Sequence, residues 1–259
     1  MPFPKYDIGS IRQIPRLTMR LLPDVPDNFQ PTSLDLVLAT LAALGLPIAA
    51  GFLFNTTGAL IPLFLYYGVF CWGIVKWRRG AVGYELSKGE LRKQFASYVT
   101  PLFVVLLMLQ LLLVGFEFVT YLPVSDFNLL GFIITLAIWP VLNAFSEQLI
   151  WIYTFDSYAE YFKEGTKRKV MTGIGGLMYV ILISLIHLLF WIAFLPEGQS
   201  IFPFNVLFVP IQTAIAIGYI FLYRQSKSMW PLGLIHVLIN ITSTGLSGYS
   251  MLPFLLLFS

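Results

Sequence analysis

Three short stretches set reactive side chains into otherwise apolar runs. IHVLIN carries His236 and Asn240, SLIHLLF carries His187, and NAFSEQLIW carries Glu147. The chain has only two histidines, and both lie in such runs. Residues four apart share one face of a helix, which pairs His236 with Asn240 and Glu147 with Asn143; Thr154, seven residues further on, falls on that face too. A Glu, two His and an Asn on three helices make a workable hydrolytic set. The carboxylate can act as general base toward a water, and a histidine can orient that water or shuttle its proton. A second histidine and an Asn amide can donate hydrogen bonds to a developing oxyanion. Glu147, His187 and His236 are equally the ligand types of many catalytic zinc sites, with water in the fourth position. The sequence lacks HExxH and brings the three groups from separate helices, so spacing leaves hydrolysis with or without a divalent metal such as zinc open. A third reading needs no chemistry, because single polar residues often tie membrane helices together by hydrogen bonds. Gln110, Gln148 and Gln212 fit that role, while Glu117, near an outer helix end, fits a snorkelling or capping role.

The elements that must hold these residues are membrane helices. The chain is 58% hydrophobic and only 11% charged, with mean hydropathy +0.80, against about 25% charged residues in soluble domains. Apolar windows near the length of a spanning helix fall at about 36–54, 57–75, 100–121, 128–155, 172–194, 201–223, 229–244 and 246–258. They predict an all-α polytopic bundle of about eight transmembrane helices, or seven if the last two, joined tightly at residues 245–248, count as one. All sixteen Lys and Arg residues fall before the first window or between windows two and three, four and five, and six and seven. The positive-inside rule then puts both termini in the cytoplasm. Spread over four juxtamembrane segments, this basic charge is a topology signal and does not point to nucleic acid.

The expected organisation is a cytoplasmic tail over residues 1–33 and a single transmembrane domain over 34–259, with no cleavable signal peptide. Within the tail, IRQIPRLTMRLL reads either as an interfacial helix on anionic membrane lipids or as a flexible segment that sets topology. Cys71 alone excludes an internal disulfide and reads as a buried thiol. No Lys or Arg falls inside a window, which argues against a retinal protein and a voltage sensor. No internal repeat is visible, which weighs against a transporter of inverted halves. Counting from Asp156 and Lys227, Glu147 and His236 sit at similar depth, Glu147 about 13 Å inside. His187 reaches that level only if residues 156–169 extend helices four and five beyond the membrane.

The stretch SMWPLGLIHVLINITS resembles the third motif of the CPBP intramembrane proteases, the group of CAAX prenyl proteases and bacteriocin-processing or immunity proteins. Ser228, Met229, Trp230, Pro231, His236 and Asn240 fit a small-Leu/Met-Trp-Pro entry followed by HxxxN. His187 resembles the family's FxxxH motif, with Ile183 in place of the Phe. SEQLIWIYTF resembles EExxxR, with Glu147 matching the first Glu, Gln148 standing for the second and Ile152 for the Arg. The resemblance covers about residues 100–245. It implies an eight-span fold in which Glu147 and His187 activate a water and His236 and Asn240 stabilise the oxyanion. The residues at 148 and 152 have lost both members of what reads as a charge pair, which leaves no lone buried charge. The resemblance thus implies a Glu- or metal-dependent intramembrane endopeptidase acting on a peptide or membrane protein near the cytoplasmic face of a prokaryotic plasma membrane. The alternative is a catalytically inactive scaffold or accessory subunit of that fold in a membrane complex. A small channel or carrier using the same polar residues is the third class.

Overall fold

The computed structural model describes residues 22, 25, 29–85, 87–95, 99–120, 127–195 and 202–255. The proposed interfacial stretch, apart from Leu22, and the Glu117 side chain lie outside the described residues. The described residues form helices and no strands: α1 (Ser33–Thr57) and α2 (Leu60–Arg79), α3 (Lys88–Phe95), α4 (Val99–Thr120), α5 (Leu129–Ala159), α6 (Gly165–Leu189), α7 (Phe204–Ser226) and α8 (Trp230–Ser247). Six of them, all but α3 and α8, are long and apolar enough to cross a membrane. Large apolar side chains such as Phe52, Phe64, Met108, Ile138 and Leu177 stand more than half exposed on the bundle surface. A surface of that kind is stable against lipid and not against water. The chain is therefore an integral membrane protein built as a helical bundle.

α8 carries His236, Asn240, Thr242, Ser243 and Thr244, and these polar residues keep it out of the six. The window expected over 246–258 is not a helix of spanning length among the described residues. α8 ends at Ser247, and beyond it lies a single 3₁₀ turn, Leu252–Phe254. That segment has a different job. The carbonyls of Phe254 and Leu255 accept the Ala59 and Leu60 amides at 2.7 and 3.0 Å, which satisfies orphan donors at the start of α2.

α5 is the axis of the bundle and packs against α1, α2, α6 and α8. Two close approaches bring its partners in. A Cβ at Gly175 of α6 would stand 2.8 Å from the Phe155 carbonyl oxygen, and one at Gly233 of α8 would stand 2.7 Å from the Phe145 ring. Small residues at such crossings let membrane helices approach backbone to side chain. α5 runs to Ala159 and α6 starts at Gly165 with Lys167, Arg168 and Lys169 near its N-terminus, so within 156–169 both helices continue on either side of a turn at residues 160–164. At 31 residues, α5 is about 46 Å long, more than the roughly 30 Å hydrocarbon core.

The charged residues gather at one end. Asp35 opens α1 in a capping box with Thr32 and pairs with Arg78 at 2.9 Å. Asp156, near the end of α5, takes Arg79 at 2.9 Å through one oxygen and Arg224 through the other. Glu160 meets Arg224 at 3.0 Å and Arg168 at 2.9 Å. Arg79 and Arg224 are 2% and 1% exposed, so these bases are structural clamps between helix ends, with their charge matched locally.

Candidate active site

Glu147 stands on the inward face of α5 and is 2% exposed. Its Oε1 accepts two hydrogen bonds, from the Tyr66 hydroxyl of α2 at 2.9 Å and from the Trp191 indole N–H at 2.9 Å. Trp191 belongs to a 3₁₀ turn, Trp191–Ala193, that follows α6. The Tyr66 hydroxyl is itself oriented by the Trp151 N–H at 3.0 Å. Asn143, one turn earlier on α5, hydrogen-bonds the Glu147 carboxylate, and its own Oδ1 accepts from Tyr67 at 2.7 Å. These groups reaching Glu147 are donors, as a carboxylate's acceptor oxygens require. Adjacent tyrosines can both point at α5 because α2 is π-helical over Phe64–Ile74; wide turns of this kind recur at functional sites.

His236 comes from α8. The start of that helix is anchored by the loop after α2: Met229 donates its amide to Gly83 at 2.8 Å and the Trp230 indole donates to the Tyr84 carbonyl at 3.0 Å. The residues of the SMWP entry therefore fix where α8 begins and hence where His236 sits. Its Nε2 lies 3.7 Å from Glu147 Oε2 and 3.4 Å from Asn143 Nδ2. Its Nδ1 contacts Gln148 Nε2. His187, near the end of α6, directs Nδ1 to the Ile183 carbonyl at 2.7 Å. Trp151 lies between the two imidazoles, with ring centroids 6.2 Å from His187 and 6.1 Å from His236.

Glu147, His187, His236 and Asn240 line one cavity of about 40 Å³, together with Asn143, Gln110 and Gln212. By volume this is room for a few waters. Two polar atoms among its lining residues are buried without a hydrogen-bond partner among the described residues, Asn240 Nδ2 and Gln110 Oε1. All four residues singled out in the sequence are thus brought together. Thr154 is not: it shares the helix with Glu147 but lies away from the cavity, with its hydroxyl buried and without a partner. Tyr66, Trp151 and Trp191 escaped the sequence reading. Their only signal is a polar tip on an aromatic ring inside an apolar run, and that pattern is common in membrane helices.

Among the described residues no three His, Cys, Asp or Glu side chains are arranged to hold an ion. A second, apolar recess of about 460 Å³ opens between α2, α5 and the 3₁₀ turn after α8. Trp139 lines both it and the polar cavity. Compared with protein-family models, curated proteins and solved structures, the chain matches none.

Proposed function

We propose that the chain is an intramembrane endopeptidase of the CPBP type, which hydrolyses a peptide bond with a water activated by Glu147. The observation that carries this reading is the division of labour on one carboxylate. Oε1 is held by Tyr66 and Trp191, while Oε2 faces His236 across 3.7 Å on the cavity side. A general base needs this combination of fixed orientation and an oxygen turned toward the reacting groups. In the proposed reaction the water oxygen bonds to the peptide carbonyl carbon and its proton passes to Glu147, with His187 orienting the water. The resulting oxyanion takes hydrogen bonds from His236 and from Asn240 Nδ2, a buried donor without a partner among the described residues. The carbon–nitrogen bond then breaks, and the proton held on Glu147 goes to the leaving amine. The apolar recess supports a substrate that arrives within the membrane, with Trp139 as the partition to cross.

The finer topology belongs to the same proposal. The end bearing the arginine clamps faces the cytoplasm of a prokaryotic cell with the N-terminus on that side, and α8 makes a seventh crossing. An eighth, which would return the C-terminus to the cytoplasm, would lie after Ser247, where the described residues form only the 3₁₀ turn Leu252–Phe254. Labelling of a cysteine placed after Ser259 from either side of sealed vesicles distinguishes seven crossings from eight.

One observation favours a catalytically silent scaffold or accessory subunit of a membrane complex instead. Gln148 and Ile152 are 0% and 1% exposed, so the position of the expected charge pair is sealed and neutral. Reconstituted protein incubated with a mixed peptide library, with Glu147→Gln as control, separates the readings. Cleavage that disappears in the control supports the endopeptidase. An inert wild type that gains cleavage on Gln148→Glu with Ile152→Arg identifies the silent form.

A further inference from the structure

The two histidines share a cavity, yet their ring nitrogens are committed in opposite ways. In a neutral imidazole one nitrogen carries the hydrogen and the other accepts, and the partners decide which. His187 Nδ1 lies 2.7 Å from the Ile183 carbonyl oxygen. A carbonyl can only accept, so Nδ1 carries the hydrogen and Nε2 is bare. His236 is held the other way round. Its Nδ1 faces Gln148 Nε2, an amide nitrogen that donates and has no lone pair to offer. Its Nε2 is 3.7 Å from Glu147 Oε2, an acceptor. The Gln148 contact asks for a bare Nδ1, and a hydrogen on Nε2 would then point toward the Glu147 carboxylate. Asn143 Nδ2, 3.4 Å from Nε2, competes for the ring, since its amide carries a second hydrogen besides any given to Glu147; it is the longer of the two amide contacts and so the weaker claim on the ring's one lone pair.

We infer that Gln148 is a positioning residue that fixes His236 as the Nε2–H tautomer, opposite to His187, so that one cavity is met by a bare ring nitrogen and by a ring N–H. The inference deepens the hydrolytic reading and rests on it only for its use: the bare His187 nitrogen accepts from the attacking water, and the His236 N–H donates to the oxyanion. The tautomers themselves stand on geometry alone. Gln148 is in this view no inert substitute for an acid. A carboxylate at 148 only accepts, so it would draw the hydrogen to Nδ1 and strip it from Nε2 unless the ring took up a second proton. The amide yields a donor toward the cavity from a neutral ring, and the uncharged Ile152 one turn away then leaves nothing uncompensated. Rotating the Gln148 amide would exchange donor and acceptor, so the test must read the ring itself.

The full-length protein in lipid bilayers, labelled with nitrogen-15 in its histidine rings, supplies that reading. Nitrogens with and without hydrogen resonate far apart, and two histidines give four ring signals, assigned with His187→Asn and His236→Asn. The wild type is expected to show His187 protonated on Nδ1 and bare on Nε2, and His236 the reverse. In Gln148→Glu the His236 Nδ1 signal moves to the protonated position, while the His187 pair stays put and reports an intact fold. A wild-type His236 with hydrogen on Nδ1, in a singly or doubly protonated ring, overturns the inference. So does a Gln148→Glu spectrum with His236 unchanged. The wild-type spectrum decides on its own if a variant misfolds. Opposite tautomers in a protein that cleaves no peptide uphold this inference and overturn only the endopeptidase reading.

Discussion

The arginine clamps at one end of the bundle and the cavity at its centre are both buried and polar, and they are built on opposite terms. At the clamps, both oxygens of each buried aspartate are taken up by donors, mostly arginines. Asp35 receives five hydrogen bonds, from Arg78, Tyr153 and Thr32, and each oxygen of Asp156 meets an arginine. In the cavity one carboxylate faces uncharged donors, no Lys or Arg lines the walls, and Asn240 and Gln110 each keep a buried polar atom unpaired. An unpaired group of that kind costs about 1–3 kcal/mol. Completed networks hold helices together. A network left incomplete at a water-sized cavity is a place where something else binds.

Mutations should separate the two regions along that line. The largest effect is expected at Glu147→Gln, which keeps shape and the Oε1 acceptor: hydrolysis falls by about 10²–10⁴-fold, measured by single-turnover cleavage, while the thermal midpoint barely moves. Asp156→Asn inverts the pattern. It leaves Arg79 and Arg224 short of a buried counter-charge, and reversible unfolding in mixed micelles should show a loss of about 3–5 kcal/mol. If Asp156→Asn were as stable as wild type, the clamps would not be what holds the helix ends. Asn240→Ala removes a donor with no partner in the resting protein. We expect kcat to drop about 10²–10³-fold with stability unchanged or slightly raised; a clear destabilisation would mean the amide is glue after all.

The smallest effect lies on the exposed α3. Glu90 accepts from the Ser87 hydroxyl at 2.6 Å and the Ser87 amide at 2.9 Å, and these bonds hold its carboxyl below the usual glutamate range. A lowered folded-state value stabilises the helix above the ordinary glutamate pKa and loses that support as pH falls through the folded value. Amide exchange along α3, corrected for intrinsic rate, should quicken on acidification in wild type and show no such step in Glu90→Gln.

Much of this arrangement was legible in the sequence, for reasons that also explain the rest. His187, His236, Asn240 and Glu147 announce themselves because ionisable and amide groups are rare and costly in apolar runs. Their convergence on one cavity is what the depth argument expected of helices continuing through residues 156–169. Gln148 was visible as generic interhelical glue and as the residue at the second Glu of the EExxxR-like stretch, but nothing in a linear pattern says that it meets a histidine 88 residues away. Tyr66 and Trp191 were hidden because a ring with a polar tip looks like ordinary packing. The arginines were counted singly for topology, which is blind to Asp156 and Glu160 beside them. The window after Ser247 shows no helix of spanning length among the described residues, where the Phe254 and Leu255 carbonyls cap the start of α2 instead.

The bonds that assemble the cavity join residues 81 apart, Tyr66 to Glu147, and 88 apart, Gln148 to His236. Contacts of such long range form late, because loop closure must precede them. During synthesis Glu147 enters the membrane well before the ribosome has made α8. A nascent chain, or one truncated before Trp230, therefore carries the carboxylate without its facing imidazole or oxyanion donors. The cavity is complete only in the finished bundle, and a probe that recognises it would count finished molecules rather than chains.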